Sequence, residues 1–393
     1  MSRRTRVVVL GAGPAGLTVA NLLRKAGIDC VLLEECDRAF IETRARAGFI
    51  EEWAVDALRR HGLADGLLAR AQVHDRFEFR FADARHLVRY GELSGQRHFV
   101  YPQQLLVTDL LAAYTDNGGE AHFTVTDVRL HDLDTDRPSV TYRDAETGAA
   151  HRLDCDLIAG CDGARGVSQT YLPAETTVRA QHHYGIGWLA LLAEAPPSAE
   201  GVIFGLHQRG FAAHMARTPT VTRFYLQCPV RDTEDDWPDE RVWVELHARL
   251  GVTGGPITEG PLIEKRVLDM HNYVLEPMSF HRLHLAGESA HLVAPIAAKG
   301  MNLAIHDALL LAAAIEAHYA GDPAGLAGYS EACLARVWQY QEFSQWLSDI
   351  FHGMTGTDVF TARVVAARLR RLLGSELAAR SFAELYTGQR ADF

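Results

Sequence analysis

The stretch Val7-Val8-Val9-Leu10-Gly11-Ala12-Gly13-Pro14-Ala15-Gly16 decides the fold of this chain. An apolar run of mostly β-branched residues is followed by three glycines at the spacing Gly-x-Gly-x-x-Gly, and apolar residues then recur at helical spacing until Gly27. A second apolar run, from Val31 to Leu33, ends in Glu34. This start of the chain therefore predicts strand, helix and strand, the opening unit of a parallel sheet.

The glycine turn also favours a particular ligand. The first turn of a helix carries unpaired N–H groups and a partial positive charge, and glycines let a pyrophosphate approach the backbone closely. Glu34 can accept hydrogen bonds from ribose hydroxyls. A glycine turn can also be merely structural, but its place between a strand and a helix favours a dinucleotide site. The motif alone does not separate FAD from NAD.

Length and charge limit the remaining possibilities. With 393 residues, 48% of them hydrophobic and 23% charged, the chain is long enough for two folded domains. Its net charge is −11, and no basic run is longer than Arg368, Arg370 and Arg371. A phosphate backbone needs a concentrated basic face, so we expect a small ligand and no nucleic-acid partner.

Cysteine usage and hydropathy favour a soluble cytoplasmic protein. None of the six cysteines forms a Cys-x-x-Cys pair, and no charged-then-apolar leader precedes the first strand. The longest apolar run, from Ala308 to Ile315, is far shorter than the roughly 20 residues that span a bilayer. We therefore expect reduced thiols and no membrane partner.

Two later segments identify the dinucleotide. One runs from Asp156 to Ser168 as an apolar strand that enters the turn Asp162-Gly163, and the other contains Gly287-Glu288 and leads into Pro295, Lys299, Gly300 and Asn302. With these segments the sequence resembles the group A flavoprotein aromatic hydroxylases, and within them the 4-hydroxybenzoate 3-monooxygenases, over nearly its whole length. Further matching motifs are Arg44-Ala45-Arg46-Ala47-Gly48, Val73-His74, Arg209-Gly210-Phe211, Asp239-Glu240-Arg241 and Tyr386.

The resemblance implies an α/β and α+β fold, in which an FAD-binding dinucleotide fold is interleaved with a β-sheet substrate domain and ends in helices. The implied FAD-binding parts are 1–75, 101–180 and 276–393, the last with the C-terminal helices, and the implied substrate parts are 76–100 and 181–275. The residue pattern agrees with this division: strands are predicted in 76–90 and an antiparallel sheet in 184–229, with helices in 103–115, 307–320 and 330–351.

The family's cofactor contacts fall on named residues of this sequence. The turn residues Gly11, Gly13, Pro14, Ala15 and Gly16, with Glu34, would hold the ADP half of FAD, and the remaining implied contacts are Arg44, Arg46, Ala47, Gly48, Gln103, Asp162, Gly287, Glu288, Lys299, Gly300, Met301 and Asn302. Glu288 replaces an aspartate of the family. Met301 and Asn302 would begin a helix whose amides face the flavin, and Lys299 would add positive potential there.

The resemblance also implies the reaction. NAD(P)H reduces FAD, O2 forms a C4a-hydroperoxyflavin, and this species hydroxylates an electron-rich ring that the protein orients. The reaction needs no metal, and no cluster of His, Cys and carboxylate is evident at ligand spacing. No Gly-x-Ser-x-Gly nucleophile motif is present either.

The substrate positions depart from the family pattern. Arg217 and Tyr225 match residues that hold a benzoate carboxylate, and Pro295 and Tyr386 match the catalytic carbonyl and the proton-relay tyrosine. At the family's relay tyrosine, carboxylate-binding serine and flavin-side threonine, however, this chain has Phe204, Met215 and Ile296. Phenylalanine cannot take part in a hydrogen-bonded relay, so we hypothesise a ring activated by an amino group, as in 3-amino-4-hydroxybenzoate. Conventional 4-hydroxybenzoate 3-hydroxylation is the alternative.

Some alternatives remain open. Glu35, Cys36 and Asp37 disfavour a 2′-phosphate, whereas Arg165 and His271 occupy other nucleotide positions of the family, so both NADPH and NADH stay possible. A related flavin halogenase is disfavoured because no Trp-x-Trp-x-Ile-Pro segment is present. A non-catalytic flavoprotein module is the third possibility, and the resemblance implies a homodimer.

Overall fold

The computed structural model describes residues 3–44, 46, 48–356 and 358–388. The predicted cofactor residue Ala47 lies outside the described residues. The strands, in chain order, are β1 (Arg3–Arg4), β2 (Val7–Leu10), β3 (Cys30–Leu33), β4 (Phe49–Glu51), β5 (Gln72–His74), β6 (Phe77–Phe81), β7 (Ala84–Val88), β8 (His98–Val100), β9 (Glu120–His122), β10 (Val125–His131), β11 (Ser139–Asp144), β12 (Ala150–Asp154), β13 (Leu157–Gly160), β14 (Val178–Ala193), β15 (Val202–His207), β16 (Gly210–Thr218), β17 (Val221–Pro229), β18 (Leu262–Glu276), β19 (Ser279–Phe280), β20 (Leu283–Leu285) and β21 (His291–Leu292).

The α-helices are α1 (Pro14–Lys25), α2 (Arg38–Thr43), α3 (Glu52–Arg60), α4 (Asp65–Arg70), α5 (Tyr90–Ser94), α6 (Gln103–Asp116), α7 (Asp239–Leu250), α8 (Gly300–Tyr319), α9 (Ala324–His352), α10 (Val359–Gly374) and α11 (Glu376–Thr387). Four short 3-10 turns lie at 168–171, 234–236, 287–289 and 295–297.

The predicted βαβ unit forms the centre of a six-stranded sheet with the order β19-β20-β13-β2-β3-β9. All pairs in it are parallel except the short edge pair β19–β20. Strand β2 is fully buried, and α1 packs on the sheet against α6 and α8. Pro14 occupies the first turn of α1, where its missing N–H costs nothing, and Gly27 ends the helix region at φ +71°. The first strands and helix are confirmed.

A second, eight-stranded sheet has the order β21-β18-β14-β17-β16-β15-β6-β7. Its strands come from four separate parts of the chain, and they pair antiparallel except where β15 runs parallel to β6. The antiparallel sheet expected between residues 184 and 229 is thus confirmed. Helix α7, which the sequence analysis did not predict, packs on β15 and β16.

Two smaller sheets complete the strand structure of the described residues, with the orders β1-β12-β11-β10 and β4-β8-β5. The three-stranded sheet lies next to α8 and α3, and so connects the two large sheets. Its strands were not predicted, because runs of three residues carry too little periodicity to be recognised.

The C-terminal part is helical, as expected, but its helices are longer than the sequence suggested. Helix α8 starts at Gly300 instead of near Asp307, and α9 starts at Ala324 instead of near Ser330. By length and composition α8 could cross a membrane, but two thirds of its most apolar window is buried inside the protein, between α1 and α9. We therefore treat α8 as a core helix. The amphipathic helices α10 and α11 were missed.

Candidate active site

A large cavity of about 890 Å³ opens at the carboxyl ends of β2, β3 and β13. Its volume falls in the range of cofactor sites, and its position at these strand ends is where doubly wound folds bind ligands. Thirteen of the predicted cofactor residues line it: Gly11, Gly13, Pro14, Ala15, Glu34, Arg44, Arg46, Gln103, Asp162, Gly287, Glu288, Gly300 and Met301. Residues far apart in the sequence are therefore brought to one site.

The glycine turn has the shape that a pyrophosphate requires. Gly11 has φ +93°, and a Cβ there would lie 2.4 Å from the carbonyl oxygen of Cys161, so only glycine fits. A Cβ added at Gly13 would meet no atom within 4 Å, because this residue faces open space. Gly13 precedes α1 without a capping side chain, so the first amides of the helix remain available to an anion.

Two carboxylates are held beside this turn by backbone amides. Glu34 accepts hydrogen bonds from the amides of Ala12 at 2.6 Å and Cys36 at 2.9 Å. Asp162 accepts from the backbone amide of Ser168 at 2.9 Å and from its hydroxyl. Burial raises the pKa of Asp162 despite these two contacts. Both carboxylates are fixed in orientation. Their remaining lone pairs can accept hydrogen bonds from hydroxyl groups of a ligand.

A buried acid supports the opposite wall of the cavity. Asp307 Oδ2 accepts a hydrogen bond from the Gly287 amide at 2.9 Å and lies 2.6 Å from His291 Nε2. Gly287 itself has φ +69°, and a Cβ there would lie 3.2 Å from Ala304 and 3.3 Å from Ala15. The Gly287 turn is therefore held between α1 and α8. Sequence reasoning missed Asp307 because its partners lie on other elements.

The wall between these turns is basic. Arg44, Arg46 and Arg165 line the cavity, and Arg46 Nη1 lies 3.4 Å from Glu288 Oε1. The pKa of Arg44 is lowered first by burial and then by repulsion from Arg46, Arg266 and Arg165. An anion bound here relieves that repulsion, so these arginines fit a phosphate-bearing ligand.

Four predicted cofactor residues do not line the cavity: Gly16, Gly48, Lys299 and Asn302. Gly16 and Gly48 serve backbone packing, because a Cβ would lie 2.0 Å from Gly11 O and 1.7 Å from Tyr101 O, respectively. The Asn302 amide bonds to backbone groups of Glu51, Phe49 and Ala298.

Lys299 lies outside the cavity lining, in an internal ion pair. Its side chain is fully buried and pairs with Glu51, and its ammonium also donates to the carbonyl of Tyr386 at 2.8 Å. The ammonium lies over the rings of Tyr340 and Phe343, 4.6 and 5.5 Å from their centroids. Its charge is compensated inside the protein, and helix α8 presents the Gly300 and Met301 backbone to the cavity instead.

A second, smaller cavity lies under the eight-stranded sheet. Its predicted lining residues are Phe204, Met215, Tyr225, Pro295, Ile296 and Tyr386, and to these the structure adds Phe49, Trp188, Val202, Ala213, Ala297 and Ala298. The added residues were missed because they come from five separate segments and, apart from Trp188, have no polar side-chain group to mark them. The cavity is lined mostly by aromatic and aliphatic side chains, and its volume is about 30 Å³.

Arg217 lies beyond the end of this small cavity. It follows Met215 by two residues on β16, at an irregularity in the register with β17 between Ala216 and Thr218. Burial lowers the pKa of its guanidinium, which donates to the carbonyl of Arg46 at 2.7 Å. Arg217, the residue predicted to bind the substrate carboxylate, is therefore hydrogen-bonded to the backbone of the loop that borders the large cavity.

The large cavity also has lining residues that sequence reasoning missed. They lie in the loop after β13, at the start of β10 and on α2: Phe40, Ile41, Val125, Thr126, Asp127, Val128, Ala164, Gly166, Val167 and Thr170. The residue Asp127 has φ +51° at a register irregularity of β10. Irregular segments carry no periodic signal, so only the folded chain shows their place.

The fold also gathers metal-ligand types that sequence spacing did not reveal. His183, Asp269 and His271 form one such group, and His306, Asp307 and Cys333 form a buried one. Neither group is evident from sequence spacing, because in each of them one residue lies on a different strand or helix from the other two. Neither group touches the small cavity.

Together, the glycine turn, the fixed carboxylates and the basic wall of the large cavity fit an adenine dinucleotide. These features define a dinucleotide-binding flavoprotein. Residues 4–344 match the family model of the FAD binding domain, and the chain belongs to that family. It is an FAD-dependent aromatic hydroxylase that uses NAD(P)H and O2.

Three comparisons place it more closely. The chain is 36% identical to a p-hydroxybenzoate hydroxylase of Acinetobacter baylyi over 388 residues, which cover 98% of this chain and 95% of the relative. It is 26% identical to a 3-amino-4-hydroxybenzoate 2-monooxygenase of Streptomyces platensis, with 89% of each chain covered. The crystal structure of p-nitrophenol 4-monooxygenase PnpA from Pseudomonas putida DLL-E4 matches with a TM-score of 0.85 at 19% identity over 100% of both chains, which shows the shared fold.

Bound FAD supplies the redox chemistry, by taking electrons from the nicotinamide donor and activating O2. The residues that line the large cavity would hold this cofactor. Gly300 and Met301 lie at the start of α8 and line the large cavity, so the positive end of this helix would face a cofactor bound there.

Proposed function

We propose that this chain hydroxylates the ring of a substituted benzoate, an amino- or hydroxybenzoate such as 3-amino-4-hydroxybenzoate. The observation that carries the proposal is the composition of the small cavity. Phe204, Met215 and Ile296 all line it, at the three positions where the sequence resemblance leads us to expect hydroxyl-bearing residues. A pocket without those hydroxyls favours a substrate that needs no proton taken from its ring oxygen.

Tyr386 supports this choice of substrate. It lines the small cavity, and burial raises the pKa of its phenol, so the hydroxyl stays protonated near neutral pH. Among the described residues no hydrogen bond joins its hydroxyl to another side chain, and Phe204 offers none. A proton relay from the substrate to Tyr386 would therefore lack the side-chain hydroxyl that should stand between them. An aromatic amine donates its lone pair without losing a proton.

Arg217 and Tyr225 are the proposed carboxylate contacts. Tyr225 lines the small cavity, and it is close enough to Arg217 to affect the pKa of the guanidinium. Arg217 follows Met215 by two residues on β16. A substrate carboxylate at this end of the cavity would replace the carbonyl of Arg46 as the partner of the guanidinium, in a charge-assisted contact.

The relatives support both members of this substrate class. The identity of 36% over nearly the whole chain favours 4-hydroxybenzoate 3-hydroxylation as the second candidate. The 3-amino-4-hydroxybenzoate 2-monooxygenases of Streptomyces platensis are 26% and 27% identical to this chain. We place the amino-substituted substrate first because the lining of the cavity departs from the hydroxybenzoate pattern.

The test is steady-state turnover with 4-hydroxybenzoate and 3-amino-4-hydroxybenzoate in parallel. NADH and NADPH consumption, hydrogen peroxide and the hydroxylated product are measured for each. We expect the amino derivative to give the faster reaction with less peroxide. Faster and tightly coupled 3-hydroxylation of 4-hydroxybenzoate would overturn the first proposal in favour of the second. Stimulation without a hydroxylated product would identify an effector.

We also propose that both nicotinamide carriers are used. Glu35 lines the large cavity and disfavours a 2′-phosphate, whereas Arg44 and Arg165 lie on the same cavity and Arg266 is near them. Because acidic and basic side chains line the same cavity, we expect it to discriminate little between NADPH and NADH. A difference in kcat/KM above about 100-fold between NADPH and NADH would contradict this.

A homodimer remains a proposal as well. Helices α10 and α11 expose Val359, Phe360 and Leu377, which are 69%, 77% and 80% accessible. These apolar side chains fit contact with a second copy of the chain. Light scattering of the purified protein should then give twice the mass of the chain, and the substitutions F360S and L377S together should shift it to the monomer.

A further inference from the structure

Three side chains of metal-binding type meet on the β14–β18 pair, outside both cavities. His183 on β14 lies directly opposite His271 on β18, and Asp269 precedes His271 by two residues, so all three share one face of the ribbon. The two imidazole rings are stacked with their centroids 5.5 Å apart. Asp269 Oδ2 lies 3.2 Å from His271 Nδ1.

A strand irregularity creates this arrangement. Between His183 and Gly187 the register of β14 shifts against β18, and Gly185 in this segment has φ +68°. The shift puts Gly187 opposite Asp269.

We propose that His183, Asp269 and His271 bind a divalent transition-metal ion of the zinc type. One nitrogen of each histidine and one oxygen of the aspartate lie within 4.8 Å of one another. Two ligands on one ion with bonds of about 2.1 Å are at most about 4.2 Å apart, so small side-chain rotations close the site. Two imidazoles and one carboxylate suit Zn2+, Co2+ or Ni2+, whereas Mg2+ and Ca2+ prefer oxygen ligands alone.

The site is accessible and can be rearranged at low cost. His183 and Asp269 are exposed and His271 is half-buried, so an ion reaches them without opening the fold. The amide of Gln181 contacts His183 Nε2, but Gln181 is itself exposed and can turn to solvent. Three ligands on one side leave the solvent side of the ion free for water or a small anion.

Metal binding here is separate from FAD binding. Tyr273, two residues beyond His271 on the same strand face, donates its hydroxyl to the carbonyl of Glu288, which lines the large cavity. None of the three proposed ligands lines that cavity. The site therefore lies beside the cofactor site without occupying it, and the FAD-loaded enzyme can be used for the test.

The experiment is calorimetric titration of chelator-treated, FAD-loaded enzyme with ZnCl2, repeated with Co2+ to record the visible absorption of the bound ion. We expect one saturable site per chain. The substitutions H183Q, D269N and H271Q should each weaken binding by at least about tenfold. H151Q is the matched control, because His151 is an exposed strand histidine outside the site, and its affinity should equal that of the wild type.

Two results would overturn the proposal: no saturable binding, or an affinity that none of the three substitutions changes. The FAD content of each variant reports its folding, since the cofactor site lies apart from the substitutions. If one variant does not fold, the other two remain decisive, because each removes one ligand of the same ion.

Discussion

The ammonium of Lys299 and the carboxylate of Glu51 form an ion pair inside the protein, with side chains 0% and 1% exposed. Glu51 also accepts hydrogen bonds from Trp53 and Tyr340, so the pair lies in a network that joins β4, α8 and α9. It connects the cofactor fold to the C-terminal helices. We therefore expect it to contribute to stability and to the position of α8.

The substitution K299M should lower the free energy of unfolding by about 3–5 kcal/mol, because it leaves the Glu51 carboxylate buried without its cation. Urea unfolding measures the loss. The control K265M breaks an accessible pair with Asp239 and should cost about 0–1 kcal/mol. If K299M left the stability unchanged but altered the flavin spectrum, Lys299 would instead act on the cofactor.

The substitution G11A should abolish FAD binding, since its Cβ would lie 2.4 Å from the Cys161 carbonyl and its φ of +93° is unfavourable for alanine. Flavin fluorescence on titration with FAD measures this. In the control G328A the new Cβ has no atom within 4 Å, and alanine in helix α9 should stabilise the protein by up to about 1 kcal/mol. Equal FAD affinity in both variants would contradict the prediction.

The substitution F204Y should raise the turnover of 4-hydroxybenzoate by about tenfold or more, because it supplies the missing hydroxyl next to the ring and Tyr386. Product formation per NADPH consumed is the measurement. Phe211 stacks on the same ring as Phe204, that of Phe351, but does not line the small cavity, so F211Y is the control. A similar gain in both variants would point to altered packing.

The substitution R217M should raise KM for benzoates by about tenfold or more and leave kcat less affected, since it removes the charged partner of the carboxylate. Neutral phenols without a carboxylate should show no such change. A matched increase for both kinds of compound would mean that Arg217 acts through its bond to the Arg46 carbonyl.

Acid should weaken the fold through Asp307. Burial acts to raise its pKa, but the contacts with His291 and His306 outweigh burial and hold the pKa below its ordinary value. A lowered folded-state pKa contributes stability above the unfolded value of about 4, and that contribution is lost as the pH falls below it. The unfolding free energy should therefore decrease from pH 5 to pH 3, less steeply in D307N than in the exposed control D134N. Parallel pH dependences would refute this role.

The cofactor fold could be predicted from local sequence because its evidence is local. Residues 7–25 contain in succession a β-branched run, a glycine turn and a helical repeat. The conformation of each follows from local backbone preferences and does not depend on the rest of the chain. The Gly11 and Gly287 turns appear in the structure with the positive φ that only glycine adopts readily.

Other relationships depend on chain segments that meet only after folding. The Lys299 charge looked available in the sequence, and only the tertiary structure shows that Glu51, 248 positions away, compensates it. The missed lining of both cavities likewise comes from loops and short strands without periodicity. Local sequence thus determined the glycine turns and the strand and helix that they connect. Tertiary packing decided which charges are neutralised and which side chains share a cavity or a strand face, because burial and Coulomb interactions depend on distance in space and not along the chain.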